Sequence, residues 1–95
     1  MNYKVCKNNE CGNKPAIWID GGIHAREWIS PATVLWTLME LVEGDETVSH
    51  ELIEKLDWYI LPVHNPDGYA FSRKWDRLWR KTRLLLNSIV FEFSL

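Results

Sequence analysis

The 95-residue sequence has no long apolar run and little excess of charge of either sign. No stretch approaches the ~18 consecutive apolar residues of a transmembrane helix, and the first residues contain no apolar signal core. The formal net charge is only −2, which gives no general attraction to nucleic acid or to an anionic membrane. The overall charge alone therefore indicates neither a nucleic acid nor a membrane as a partner.

Cysteine is also scarce, with Cys6 and Cys11 as the only two. Two cysteines are too few for a disulfide scaffold, and no second Cys or His pair accompanies them as a zinc site of this type would require. Their spacing allows a bridge across a turn, and it equally allows two free thiols. The sequence leaves both states open.

Tryptophan, in contrast, is frequent, with six residues in a chain long enough for one small domain. Its side chain is bulky and apolar, and it contributes most in a core or at the wall of a pocket. The sequence therefore predicts a bulky apolar interior, and we assign four tryptophans to it: Trp18, Trp28, Trp36 and Trp58.

Two short runs are too continuously apolar for half-exposed strands, and they predict buried strands at residues 15–20 and 58–63. Between them, Ser30-Pro31 marks a helix start, with Ser30 as its cap, and apolar residues at helical spacing continue to Glu43-Gly44. A strand, a helix and a strand in this order predict a parallel pair with a right-handed crossover. The fold class is α/β.

Weaker signals predict the remaining elements. Residues 3–7 alternate as a short strand does, residues 49–56 suit a second helix, and Asn65-Pro66-Asp67-Gly68 is typical of a turn. The segment Arg73–Arg83 holds six of the eleven Lys and Arg residues, with Asp76 as its only acid. It could form a helix with Trp75, Leu78, Trp79 and Thr82 on one face, either solvated or in contact with RNA or an anionic membrane.

The chemistry is concentrated after the first predicted strand, where His24 and Glu27 follow Asp20. In α/β sheets, ligands bind at the carboxyl ends of strands. An imidazole and a carboxylate three positions apart on a helical turn can reach one ion, and zinc accepts both. The spacing alone is a weak signal, because a hydrogen bond between the two side chains explains it equally well.

Three longer segments together resemble one known family. PAIWIDGGIHAREWI at residues 15–29, LPVHNPDGY at residues 61–69 and LWRKTR at residues 78–83 resemble, in this order, segments of the pancreatic-type A/B zinc metallocarboxypeptidases, the M14 family. The resemblance covers roughly residues 3–83. It implies a fragment of a mixed, largely parallel sheet with flanking helices, a zinc cofactor, and removal of C-terminal residues from peptides or proteins.

The resemblance also implies roles for individual residues. His24 and Glu27 correspond to the first two zinc ligands, and Arg26 to an arginine of the substrate-binding subsites. Arg80 corresponds to the arginine that binds the scissile carbonyl and stabilises its oxyanion, and Arg77 to a further basic residue near the cleft. A guanidinium suits these roles because it keeps its charge and donates as a rigid fork.

The family's third zinc ligand, a histidine, and its water-activating glutamate match nothing in this sequence. His64 stands where the family places no ligand, and His50 is expected to be exposed on a charged helix. We therefore expect residues 1–83 to be a partial catalytic domain, from a truncated gene model or splice product, with residues 84–95 as a divergent apolar tail.

On this basis we expect little or no peptidase activity from the chain alone. The alternatives are a non-catalytic fragment that binds a partner and a non-functional product. The resemblance also implies an extracellular location.

Overall fold

The computed structural model describes residues 2–83 and the backbone of residues 85–86 and 89–90. Its main sheet has three strands, β1 (Tyr3–Val5), β2 (Ala16–Asp20) and β3 (Asp57–Leu61), in the order β1-β3-β2. Strand β3 pairs parallel with β2 and antiparallel with β1. The predicted α/β class and the parallel pair are confirmed.

Three helices accompany the sheet: α1 (Ile29–Glu43), α2 (Glu46–Lys55) and α3 (Pro66–Lys74). A 3-10 turn at Lys7–Asn9 follows β1, and two short strands, β4 (Leu85–Leu86) and β5 (Ile89–Val90), pair antiparallel. The rest of the predicted apolar tail lies outside the described residues. No helix in the described part of the chain is long and apolar enough to cross a membrane.

The core lies between α1 and one face of the sheet. Val34 and Leu41 of α1 pack with Trp58 and Ile60 of the central strand β3, and Ile60 is 1% exposed. Around this centre pack Tyr3, Val5, Ile17, Ile19, Leu38 and Leu56. Strand β3 is buried, as predicted, because it has a neighbour on each side and a helix on one face.

Strand β2 was predicted to be buried, and this prediction is wrong. It forms an edge of the three-stranded sheet, and its residues alternate between exposed and half-buried. Ile17 and Ile19 face the core, so Trp18 projects from the opposite face and is 57% exposed. Trp36 on α1 is also exposed, at 63%. The assignment to the core is therefore correct for Trp58 and wrong for Trp18 and Trp36. Trp28 is only partly buried.

Helix α1 has the predicted extent but not the predicted cap. Ser30 lies inside the helix, and the N-cap residue is Trp28, whose side chain makes no capping hydrogen bond. The Ser30 hydroxyl instead accepts a hydrogen bond from the Gly22 backbone N–H at 3.0 Å. Gly22 has a φ of +71°, a left-handed conformation that glycine adopts without strain. Ser30 thus fixes the loop after β2 rather than the helix end.

The two later helices start at capping side chains that the sequence reading missed. Asp45 accepts from the backbone N–H groups of Thr47 and Val48, so α2 starts three residues before the predicted position. Asn65 accepts from the Gly68 N–H at 3.0 Å, so the predicted turn is the start of α3. In both cases an Asx side chain satisfies free N–H groups of the first turn.

The predicted helix over Arg73–Arg83 is wrong. Helix α3 ends at Lys74, and Asp76 accepts a hydrogen bond from the Leu78 N–H at 3.0 Å. Beyond it, the Arg80 and Lys81 carbonyl oxygens accept hydrogen bonds from distant residues. Since those carbonyls bind elsewhere, they are not available for a helical ladder.

The two cysteines are joined. The Cys6–Cys11 disulfide closes the turn between β1 and β2, with the Cα atoms 5.4 Å apart. The next residue, Gly12, donates its N–H to Asp57 Oδ2 at 2.8 Å. Asp57 is fully buried at the start of β3, so this bond attaches the disulfide turn to the central strand.

Candidate active site

The candidate site is formed by the loops that leave the carboxyl ends of β2 and β3. Because the two strands are parallel, these ends lie at one edge of the sheet. Three backbone hydrogen bonds join the loops: Gly21 N–H to Leu61 O at 3.0 Å, His64 N–H to Gly21 O at 2.8 Å and Asn65 N–H to Gly22 O at 3.1 Å. The base of the site is therefore fixed by main-chain contacts.

A third segment, which follows α3, folds back onto these loops. The Ala25 N–H donates to the Arg80 carbonyl oxygen at 2.9 Å. The Asn65 amide donates to the Lys81 carbonyl at 3.0 Å and to the Ile23 carbonyl at 3.4 Å. Asn65 is only 9% exposed. Its side-chain oxygen therefore caps α3, and its side-chain nitrogen joins the loop that contains Ile23 to the segment that contains Lys81.

Gly68 allows this close approach. An added Cβ at this position would lie 2.6 Å from the Lys81 carbonyl oxygen. Every other residue type carries a Cβ, so the first turn of α3 can contact the Lys81 backbone only at glycine.

His24 and Glu27 lie side by side, as their spacing predicted. His24 Nδ1 is 2.9 Å from Glu27 Oε2 and 3.1 Å from Oε1. On its other side, His24 Nε2 is 2.9 Å from Arg80 Nη2. A guanidinium can only donate, so Nε2 accepts the hydrogen bond and Nδ1 carries the proton toward the carboxylate. His24 thus contacts both the other candidate metal ligand, Glu27, and the candidate oxyanion residue, Arg80.

These residues fit two positions of a zinc site. The His24 Nδ1 atom and a Glu27 carboxylate oxygen within 3.1 Å of each other could contact a single ion, which would displace the Nδ1 proton, and zinc accepts both types of ligand. In the described part of the chain, no group of three or more His, Cys, Asp or Glu side chains could hold a metal ion. The donor set is therefore chemically suitable but incomplete within that part.

The other two histidines are engaged elsewhere. His64 Nδ1 lies 2.9 Å from Asp20 Oδ2, although His64 lines the same cavity of about 220 Å³ as His24. His50 is 75% exposed on α2, as expected, and lies 3.8 Å from Glu54. Neither completes a three-ligand group with His24 and Glu27.

Arg77 and Trp28 form the neighbouring wall. The Arg77 guanidinium lies 3.8 Å from the centre of the Trp28 ring, and its Nη1 donates to the Arg26 carbonyl oxygen at 2.7 Å. The Trp28 indole N–H donates to Ser72 Oγ at 2.9 Å. Ser72 is buried, and its hydroxyl also contacts the Ala25 and Tyr69 carbonyls. Trp28 is therefore a partly buried side chain that also holds a cation on its ring.

Sequence reasoning missed Asn65 and Ser72, which position the site without forming it. Asn65 had a detectable signal, because Asn directly before Pro is a common helix start. Ser72 had none, since its partners lie on a different loop.

Comparison with known proteins identifies the family. The sequence profile of the zinc carboxypeptidase family, peptidase family M14, matches residues 3–89. Carboxypeptidase B of Helicoverpa zea is 54% identical over 81 residues, which cover 85% of this chain and 18% of that protein. Carboxypeptidase A2 of Rattus norvegicus is 51% identical over 81 residues, which cover 83% of this chain and 19% of that protein.

A solved structure shows the same likeness in three dimensions. The crystal structure of thrombin activatable fibrinolysis inhibitor superposes with a TM-score of 0.80 at 48% identity, over 90% of this chain and 22% of that one. This chain therefore spans about a fifth of the length of the proteins that it matches. Sequence, fold and motif order agree, and the chain belongs to the M14 family of zinc carboxypeptidases.

Proposed function

We propose that His24 and Glu27 are two protein ligands of a zinc ion, in a partial carboxypeptidase catalytic domain that comprises residues 1–83. The observation that carries this proposal is the 2.9–3.1 Å approach of the His24 imidazole to the Glu27 carboxylate at the carboxyl edge of the sheet. The reaction of the whole domain is hydrolysis of the last peptide bond of peptides or proteins.

Zinc, when bound, supplies a Lewis acid for the peptide carbonyl. The residues of this chain bind and orient the substrate. Arg80 lies beside His24 and directs a permanent positive charge to where the carbonyl oxygen becomes negative. Arg77 lies on the adjoining wall, where it is held by the Trp28 ring and by the backbone carbonyl of Arg26, an exposed residue. In this proposal Arg26 and Arg77 contact the preceding part of the peptide.

The 95-residue chain by itself has little or no peptidase activity. Zinc sites in hydrolases use three protein ligands and leave a position for water, and the described residues supply two in one group. Glu27 serves as a ligand in this proposal, so it is not available to activate water.

We place the protein in an oxidising, extracellular environment. The Cys6–Cys11 disulfide supports this location, since disulfides persist mainly in secreted proteins.

Zinc content after dialysis tests the metal site. We expect purified protein that has been given excess zinc to retain well below one ion per chain after exhaustive dialysis. A titration with zinc should nevertheless show weak binding that depends on His24. His24→Ala should abolish the titration signal, and His50→Ala is the matched control because His50 is exposed on α2. Equal zinc binding by the wild type and His24→Ala would overturn the assignment.

A partner-binding role without catalysis is the second candidate. It is favoured by large apolar side chains that are exposed on the sheet and on α1: Trp18, Ile29, Trp36, Met39 and Val42. Size-exclusion chromatography with light scattering tests it, since a monodisperse monomer that forms no complex would contradict this role.

A further inference from the structure

Two arginines share the Trp28 ring. The Arg77 guanidinium lies 3.8 Å from the ring centre and that of Arg73 lies 5.4 Å from it. Arg73 is also 6.0 Å from the Tyr69 ring, and its Nη1 donates to the Tyr69 hydroxyl at 3.4 Å. Arg73 and Arg77 are both exposed. Aromatic faces thus hold two permanent cations together at the surface.

Neither cation is neutralised within the described residues. Arg73 and Arg77 form no ion pair there with any carboxylate. The nearby acids are engaged: Glu27 contacts His24, and Asp76 accepts from the Leu78 N–H. Two like charges at one aromatic ring repel each other, and an anion that reaches both reduces this repulsion while accepting charge-assisted hydrogen bonds. The Arg73–Arg77 pair therefore suits an anionic ligand.

The pair adjoins the candidate active site. Arg77 donates to the carbonyl of Arg26, which lies between His24 and Glu27 in sequence. Ser72, next to Arg73, contacts Ala25 of the same loop. We propose that Arg73, together with Arg77, binds an acidic side chain a few residues before the C-terminus of a peptide in the candidate site. Arg73 is then a specificity-determining residue, and the substrate class is acidic peptides.

An acidic peptide fits better than a nucleic acid. The two guanidinium groups form a small local pair, whereas a nucleic-acid surface follows a strand with several phosphate contacts and free aromatic faces. The Trp28 ring is already covered by Arg77 at 3.8 Å, so it is not available for base stacking. A carboxylate needs only the planar donor fork that a guanidinium presents.

This inference rests on the proposed function for the direction of the peptide but not for the binding of the anion. Isothermal titration should compare two hexapeptides with free C-termini, one with three Asp in its first half and the other with three Asn. We expect the Asp peptide to bind about tenfold more tightly at low salt, and the difference to shrink as salt rises.

Variants assign the effect to Arg73. Arg73→Gln should weaken the Asp peptide about fivefold and leave the Asn peptide unchanged, and Arg73→Lys should recover part of the loss because it keeps the charge. Lys55→Gln is the matched control, since it removes one exposed cation on α2, with an expected change below about twofold. Circular dichroism checks that each variant is folded.

Three results would overturn the proposal: equal affinity for the two peptides, equal effects of Arg73→Gln and Lys55→Gln, or tighter Arg73-dependent binding of a single-stranded oligonucleotide. The same peptide titration, repeated with a chelator and with His24→Ala, distinguishes the proposed zinc site from the proposed Arg73–Arg77 site. Binding that depends on Arg73 but not on zinc supports the Arg73–Arg77 site even if the metal assignment fails, and the reverse pattern rejects this site alone.

Discussion

Asn65 and Lys81 are joined by a hydrogen bond of 3.0 Å between a buried amide and a backbone carbonyl, across sixteen positions of sequence. The same side chain accepts from Gly68 N–H and donates toward Ile23 O. One residue thus holds the start of α3, the loop after β2 and the segment that carries Arg80.

Replacement of this residue should therefore be costly. We expect Asn65→Ala to lower the free energy of unfolding by about 1–3 kcal/mol, since it removes a helix cap and leaves buried polar groups without partners. Asn65→Asp is the informative comparison, because it keeps the acceptor for Gly68 but replaces the donor with a carboxylate oxygen beside the Lys81 and Ile23 carbonyl oxygens. Urea unfolding measures both, and Asn13→Ala at an exposed turn is the control. An Asn65→Ala variant as stable as Asn13→Ala would contradict this role.

For Gly68→Ala, we expect a change in the free energy of unfolding that is opposite in sign to the change expected from helix propensity. Propensity alone makes Gly→Ala in a helix stabilising by about 1 kcal/mol. Here an added Cβ would lie 2.6 Å from the Lys81 carbonyl oxygen, so we expect Gly68→Ala to destabilise the fold by about 1–3 kcal/mol. Ala70→Ser, exposed in the same helix, should change the unfolding free energy by less than about 0.5 kcal/mol. A stabilised Gly68→Ala variant would show that the Lys81 backbone does not pack there.

The disulfide gives a third prediction. Cys6 and Cys11 are five positions apart, and cross-linking so short a loop contributes about 2 kcal/mol in the chain-entropy treatment. The Cys6→Ser/Cys11→Ser double variant should lose about this amount in urea unfolding, and a reducing agent should destabilise the wild type but not the variant. If the reducing agent affects both equally, the destabilisation does not come from this bridge.

Asp57 provides a fourth test, independent of the site. Its Oδ2 accepts from the Gly12 N–H, whereas its buried Oδ1 has no hydrogen-bond partner among the described residues. A buried carboxylate with an unsatisfied oxygen is costly. We expect Asp57→Asn to keep the Gly12 contact and to leave the unfolding free energy unchanged or raise it by up to about 1 kcal/mol. Asp57→Ala, which removes the acceptor, should lower it by about 1–3 kcal/mol. Equal losses for both variants would show that the charge itself is required.

Those parts of the fold that depend on local sequence signals could mostly be predicted. The parallel pair β2–β3 and the extent of α1 follow from apolar runs and from helical spacing. The burial of Trp18 could not be predicted, because an apolar run does not reveal whether its strand has a neighbour on both sides. The conformation of the segment after Lys74 could not be predicted from local signals either, because the Arg80 and Lys81 carbonyl oxygens accept hydrogen bonds from residues far away in sequence.

Within the candidate site, only contacts between residues that are close in sequence could be predicted from spacing. His24 and Glu27 meet because three positions bring them onto one side of a turn. The approach of Arg80 to His24 depends on the fold of the entire region between them, and only the family resemblance suggested it. Asn65 and Ser72, which hold that approach in place, carry no chemical signature of the reaction.

The hydrogen bond from Ala25 N–H to the Arg80 carbonyl has a consequence for the order of folding. It closes a loop that contains both α1 and α2, and the entropic cost of closure grows with loop length by about 0.6 kcal/mol for each doubling. Helices α1 and α2 can form from neighbouring residues, whereas this contact must wait until residue 80 has been synthesised and has returned to the sheet. During translation the His24–Arg80 arrangement can therefore form only after β2, α1, α2 and β3 have been synthesised.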